Sequence, residues 1–135
     1  MLGDVIELTV VVKDLETAIK DYERLFGLKV KYSKESKQFR FKNAILPLGK
    51  GHIELLQPLD ASSAAARFLK NRGEGVYLVG FDVKDVSSSV SQLKGKGVSV
   101  TETNSEFHPG EKVAWVHPRD AHGVMVELRR PERYD

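Results

Sequence analysis

Val12-Lys13-Asp14-Leu15 returns 71 residues later as Val83-Lys84-Asp85-Val86, and what surrounds the two copies follows one grammar. Before the first copy, "VIELTVVV" alternates: Leu8, Val10 and Val12 share one face, while Glu7, Thr9 and Val11 share the other. That period of two predicts a strand with one core face. Asp14 is placed to cap a helix carrying Leu15, Ala18, Ile19, Tyr22, Leu25 and Phe26 at helical spacing, and Gly27 marks its end. "LKVKYS", "QFRFKNAILPLG" and "HIELLQP" then read as three strands, broken by Gly49, Gly51 and Pro58.

The second copy repeats the order. "YLVGFDV" is the strand, Asp85 the cap, Val86 through Leu93 the helix ending at Gly95 or Gly97, and "VSVTET", "KVAWVHP" and "VMVELRRP" the three strands. A helical connector, "SSAAARFLKNRGEG", joins the copies. We therefore read residues 1–135 as a single domain: a first βαβββ module over 4–58, a connector over 59–75 and a second module over 76–131. The fold class expected is α+β, with paired βαβββ modules forming a concave, cleft-enclosing mixed sheet and the helices outside.

Composition narrows the function classes. The chain is 41% hydrophobic and 30% charged, with 21 basic and 19 acidic residues and a net charge of +2. The charges are interspersed, so no basic face suits nucleic acid, and no apolar run is long enough to cross a membrane. The absence of cysteine excludes disulfides and thiolate chemistry. A cytoplasmic protein acting on a small molecule is the expectation.

Repeat symmetry picks out carboxylates. Glu7 corresponds to Leu78 at the offset of 71, and Glu54 corresponds to Glu127 at an offset of 73. All four positions lie opposite the apolar faces of their strands, pointing away from the helices. Three carboxylates gathered in one cleft would repel unless a cation or raised pKa values relieved them. Among oxygen-seeking ions, Mg²⁺, Mn²⁺ or Ca²⁺ would suit such a set.

The blocks "VKDLETAIKDYERLFGLKV", "LPLGKGHIELLQPL", "FLKNRGEGV" and "HPRDAHGVMVEL" together resemble the vicinal oxygen chelate superfamily of glyoxalases, bleomycin-resistance proteins and dioxygenases. Within it the chain is most similar to the methylmalonyl-CoA epimerase branch, roughly from Val5 to Arg130. The resemblance implies one metal ligand on each of four strands, and those places fall on Glu7, Glu54, Leu78 and Glu127. It therefore implies Glu7, Glu54 and Glu127 as ligands of a divalent ion of the Mg, Mn, Co or Ni class. Leu78 departs from the pattern because it cannot ligate, and Tyr77 beside it has the opposite strand parity. Gln38 stands near the place where epimerases of this branch carry a glutamate base, with Glu35 three residues earlier.

By that resemblance the activity expected is metal-assisted proton transfer next to a carbonyl or thioester, of the isomerase or lyase type, with Glu127 or Glu54 as base in a homodimer. The alternative is a metal-free member that binds a small molecule, as bleomycin-resistance proteins do. Leu78, Trp115 and Arg40 are the candidate substrate contacts, with Arg40 expected on the strand before "ILPLG". His117 and His122 read as turn residues, His108 as a loop residue, and His52 as a neighbour of Glu54 two residues along its strand.

Overall fold

The computed structural model describes residues 1–131; the last four residues of the expected domain, 132–135, lie outside the described residues. In chain order the elements are β1 (Val5–Val11), α1 (Leu15–Phe26), β2 (Tyr32–Ser36), β3 (Phe41–Leu48), β4 (Gly51–Pro58), α2 (Ala64–Arg72), β5 (Gly75–Asp82), α3 (Val86–Gly95), β6 (Val100–Asn104), β7 (Lys112–Val116) and β8 (Met125–Arg129). The doubled βαβββ order is thus present, with α2 between the two copies. Among the described residues no helix is long and apolar enough to cross a membrane.

Local chemistry sets the helix ends. Asp14 is extended, with φ −136°, and accepts from Thr17 N, while Gly27 ends α1 in the left-handed region at φ 69°. Asp85 repeats the cap on α3 by accepting from Ser88 N, and Ser63 does the same for α2 with Ala66 N.

The described residues fall into two compact units: Leu8–Tyr77, and residues 1–7 with 78–131. The division runs through β1, so that Val5, Ile6 and Glu7 fall in one unit and Leu8 to Val11 in the other.

In the unit Leu8–Tyr77 the strands run in the order β2-β3-β4-β1. β2 and β4 are both antiparallel to β3. One face of this sheet carries Val12, Ala44, Leu46 and Leu55 with Leu15 of α1, and Ala18, Ile19 and Tyr22 pack against them. On the other face Val11 and Leu56 pack with Ala65, Phe68 and Leu69 of α2, and with Tyr77. The connector helix therefore covers the side of the strands that bears Thr9 and Glu54.

The other unit has the order β1-β5-β8-β7-β6. β5 and β8 run parallel in the register Leu78↔Met125 and Gly80↔Glu127, whereas β7 is antiparallel to both β8 and β6. Its core is Val83, Val86, Val90, Ala114 and Leu128, with Phe81 and Leu93 packed against it. Backbone bonds from Asp82 N to Asp4 O and from Gly3 N to Asp82 O hold the first residues to β5.

Candidate functional site

Two buried carboxylate clusters stand out, one in each unit. In the first unit Glu54 is buried on β4. Its Oε1 accepts from the Thr9 hydroxyl at 2.8 Å and its Oε2 from Asn43 Nδ2 at 2.6 Å. Asn43 is wholly buried on β3, and its Oδ1 in turn accepts from Lys34 N at 2.9 Å. A buried carboxylate has a large desolvation cost, and two short bonds from neutral donors offset much of it. The chain Lys34–Asn43–Glu54–Thr9 ties β2, β3, β4 and β1 together. His52, two residues before Glu54, is buried on the same strand.

Tyr77 packs edge-on against Phe68, with ring centroids 5.2 Å apart. Its hydroxyl pKa is raised from the ordinary 10.0, chiefly by burial; the Arg67 charge works the other way and the Glu54 charge adds to the rise. Parity counted from Leu78 would turn Tyr77 away from Glu54. Tyr77 nonetheless packs with Leu56, which shares a face of β4 with Glu54.

In the second unit the cluster is Glu7, Gly80, Trp115, Glu127 and Arg129. Arg129 Nη1 donates to Glu7 Oε1 at 3.0 Å and lies 4.0 Å from Glu127 Oε2. Trp115 Nε1 donates to Glu127 Oε1 at 2.9 Å. The register Trp115↔Glu127 of β7 and β8 sets that contact, and residues 127 and 129 share a strand face by alternation. Gly80 opens the space: a Cβ there would stand 2.8 Å from Glu7 Cβ and 3.4 Å from Glu127 Oε2. Both glutamates are buried and the arginine side chain is 13% exposed, so the pairing is of the desolvated kind.

The structure thus brings Glu7, Glu127 and Trp115 together, and adds Arg129, which sequence reasoning missed. Glu54 belongs to the Thr9–Asn43 cluster of the other unit. Leu78 is buried beside Met125 in the β5–β8 ladder. Arg40 is a correction: it lies in the turn between β2 and β3 with φ 57° rather than on a strand, bonding Ser62 Oγ at 2.7 Å and pairing with Asp60 at 3.4 Å. The tight turn needs a left-handed residue there, and Arg40 supplies it. Gln38 occupies the same exposed turn, and Glu35 an exposed position on β2. His117 caps the 3₁₀ turn Pro118–Asp120 by accepting from Arg119 N, and His122 takes a left-handed turn conformation.

A divalent metal does not fit this arrangement. Among the described residues no three His, Cys, Asp or Glu side chains are grouped to hold an ion, so the expected set of Glu7, Glu54 and Glu127 is not such a group. More decisive is the cation already between Glu7 and Glu127. A divalent ion within about 4 Å of that guanidinium would meet roughly 8 kcal/mol of repulsion at an effective dielectric of about 20.

Comparison with known proteins matches residues 8–115 to the glyoxalase/bleomycin resistance protein/dioxygenase superfamily. The ethylmalonyl-CoA/methylmalonyl-CoA epimerase of Cereibacter sphaeroides is 31% identical over 134 residues, covering 96% of this chain and 99% of that one. Human mitochondrial methylmalonyl-CoA epimerase is 31% identical over 131 residues, covering 96% and 74%. Among solved structures, methylmalonyl-CoA epimerase from Mycobacterium tuberculosis superposes with a TM-score of 0.87 at 28% identity, covering 98% of this chain and 90% of that one. The α+β fold of paired βαβββ modules is the fold of these epimerases. The chain belongs to the glyoxalase/bleomycin resistance protein/dioxygenase superfamily, and the relatives it matches along its length there include methylmalonyl-CoA epimerases.

Proposed function

We propose that this protein is a CoA-thioester epimerase, moving the proton on the carbon between a thioester carbonyl and a carboxylate, as in methylmalonyl-CoA. Similarity to epimerases over 96% of the chain supports the substrate class. The single observation that carries proton transfer is the state of Glu127: a buried carboxylate with one oxygen fixed by Trp115 Nε1 and a guanidinium 4.0 Å from the other.

Removing the proton next to a thioester moves negative charge onto the carbonyl oxygen, so the step needs a base at the carbon and positive charge near that oxygen. Glu127 is the base in this reading. Trp115 holds its plane, so the carboxylate meets the carbon without first having to be oriented. Glu54, with both oxygens engaged by Thr9 and Asn43, is assigned to holding its own strands together rather than to proton transfer.

The test is deuterium uptake at the α-carbon of methylmalonyl-CoA in D₂O, followed by mass. Uptake well above the buffer blank is expected, and Glu127→Gln should slow it by about 10²–10⁴-fold. A wild-type rate equal to the blank, both with chelator and with Mn²⁺ or Co²⁺ supplied, would sink the proposal.

A further inference from the structure

We infer that Arg129 is the resident cation of the Glu7–Glu127 site, standing where a divalent metal would otherwise sit and making the site metal-independent. The inference rests on the epimerase reading for what the cation does in turnover, but not for what it excludes.

Two observations carry it. First, Arg129 Nη1 is 3.0 Å from Glu7 Oε1 and 4.0 Å from Glu127 Oε2. An ion bridging the same two carboxylates at about 2.0–2.6 Å from each oxygen would need the volume that this nitrogen fills. Second, the charge is already nearly balanced: two carboxylates and one guanidinium leave a single net negative charge, which a divalent ion would overturn. A guanidinium cannot be displaced by losing its proton in this pH range. The positive charge that an enolate oxygen requires is then a fixed side chain of β8 instead of an exchangeable ion.

The experiment compares full-length wild type, Arg129→Gln and Arg129→Lys by Mn²⁺ titration, read as free Mn²⁺ by electron paramagnetic resonance and as thermal shift, with deuterium uptake measured in parallel. Wild type and Arg129→Lys, which keep a cation, are expected to bind no Mn²⁺ and to show no shift. Arg129→Gln should bind it saturably, with a rise in melting temperature. Wild-type uptake should be unchanged by EDTA. In Arg129→Gln it should fall about 10²–10³-fold, as when one preorganised charge-stabilising group is removed, and recover in part on adding Mn²⁺. Stoichiometric Mn²⁺ on wild type, loss of wild-type uptake in EDTA, or a folded Arg129→Gln that binds no Mn²⁺ would each overturn the inference. Should Arg129→Gln fail to fold, the wild-type metal and EDTA arms still decide it. Absence of uptake in wild type with the metal results as expected would refute the epimerase reading alone.

Discussion

Gly80→Ala tests the construction of the Glu7–Glu127 site without touching a charged group. The new Cβ would lie 2.8 Å from Glu7 Cβ and 3.4 Å from Glu127 Oε2. Carbon atoms prefer about 3.5–4.0 Å, and Glu7 Cβ is bonded directly to its strand, so rotating the side chain does not clear it. Relief requires β1 and β5 to shift by several tenths of an ångström, and such overpacking costs about 1–3 kcal/mol. Against this, replacing a glycine stiffens the unfolded chain and returns about 0.4–1 kcal/mol, so at mid-range values, about 2 less about 0.7, the net loss is about 1.3 kcal/mol. For a chain of this length that lowers the melting temperature by roughly 3–10 °C. Gly75→Ala is the matched control on the same strand, since a Cβ there meets nothing within 4 Å, and it should be neutral or slightly stabilising. Thermal and urea unfolding of the two variants beside wild type measure the difference. Deuterium uptake by Gly80→Ala should fall as well, because the shift that clears Glu7 Cβ also moves the Glu7–Arg129–Glu127 contacts. Equal stabilities of Gly80→Ala and Gly75→Ala would refute the claim that β1 and β5 are in close apposition at this glycine.

Two other changes probe the Glu54 cluster. Asn43→Asp keeps the acceptor for Lys34 N but replaces the donor to Glu54 with a second carboxylate. It should cost about 2–4 kcal/mol at pH 7 by urea unfolding, and the gap from wild type should narrow towards pH 4 as a shared proton removes one charge; a pH-independent gap would rule out charge repulsion as the cause. Tyr77, whose hydroxyl pKa is raised mainly by burial, stays protonated in the folded chain where the unfolded chain has begun to ionise. Its contribution is therefore fully present below about pH 10 and is lost as pH climbs through the folded value. Wild type should lose more stability than Tyr77→Phe between pH 9 and 11, and parallel losses would contradict the burial of the hydroxyl.

What the sequence disclosed followed from how local each determinant is. Asp14 with Thr17, and Asp85 with Ser88, are caps formed within three residues, so the repeated Val-Lys-Asp signal located both helices and through them the doubled βαβββ order. "LKVKYS" was harder. Leu28 and Val30 do pack against the α1 core, yet the ladder starts only at Tyr32, because an apolar side chain can be buried beside a sheet without its backbone joining it. Arg40 misled for a related reason: the run "QFRF" alternates like a strand, but the left-handed conformation at Arg40 that turns the chain is a backbone property that composition does not carry.

The site divided along the same line. Alternation alone places Arg129 on the face of Glu127, two residues along one strand, so this much was legible. That Glu7 meets Arg129 from 122 residues away depends on β1 and β8 both flanking β5, a fact of topology with no local signature. Leu78 was legible as a place where a metal ligand is lacking. If Arg129 is the resident cation, the lack need not disable the site: the charge that Leu78 cannot help to hold comes from a side chain already anchored on β8, two residues beyond Glu127 on the same largely buried face.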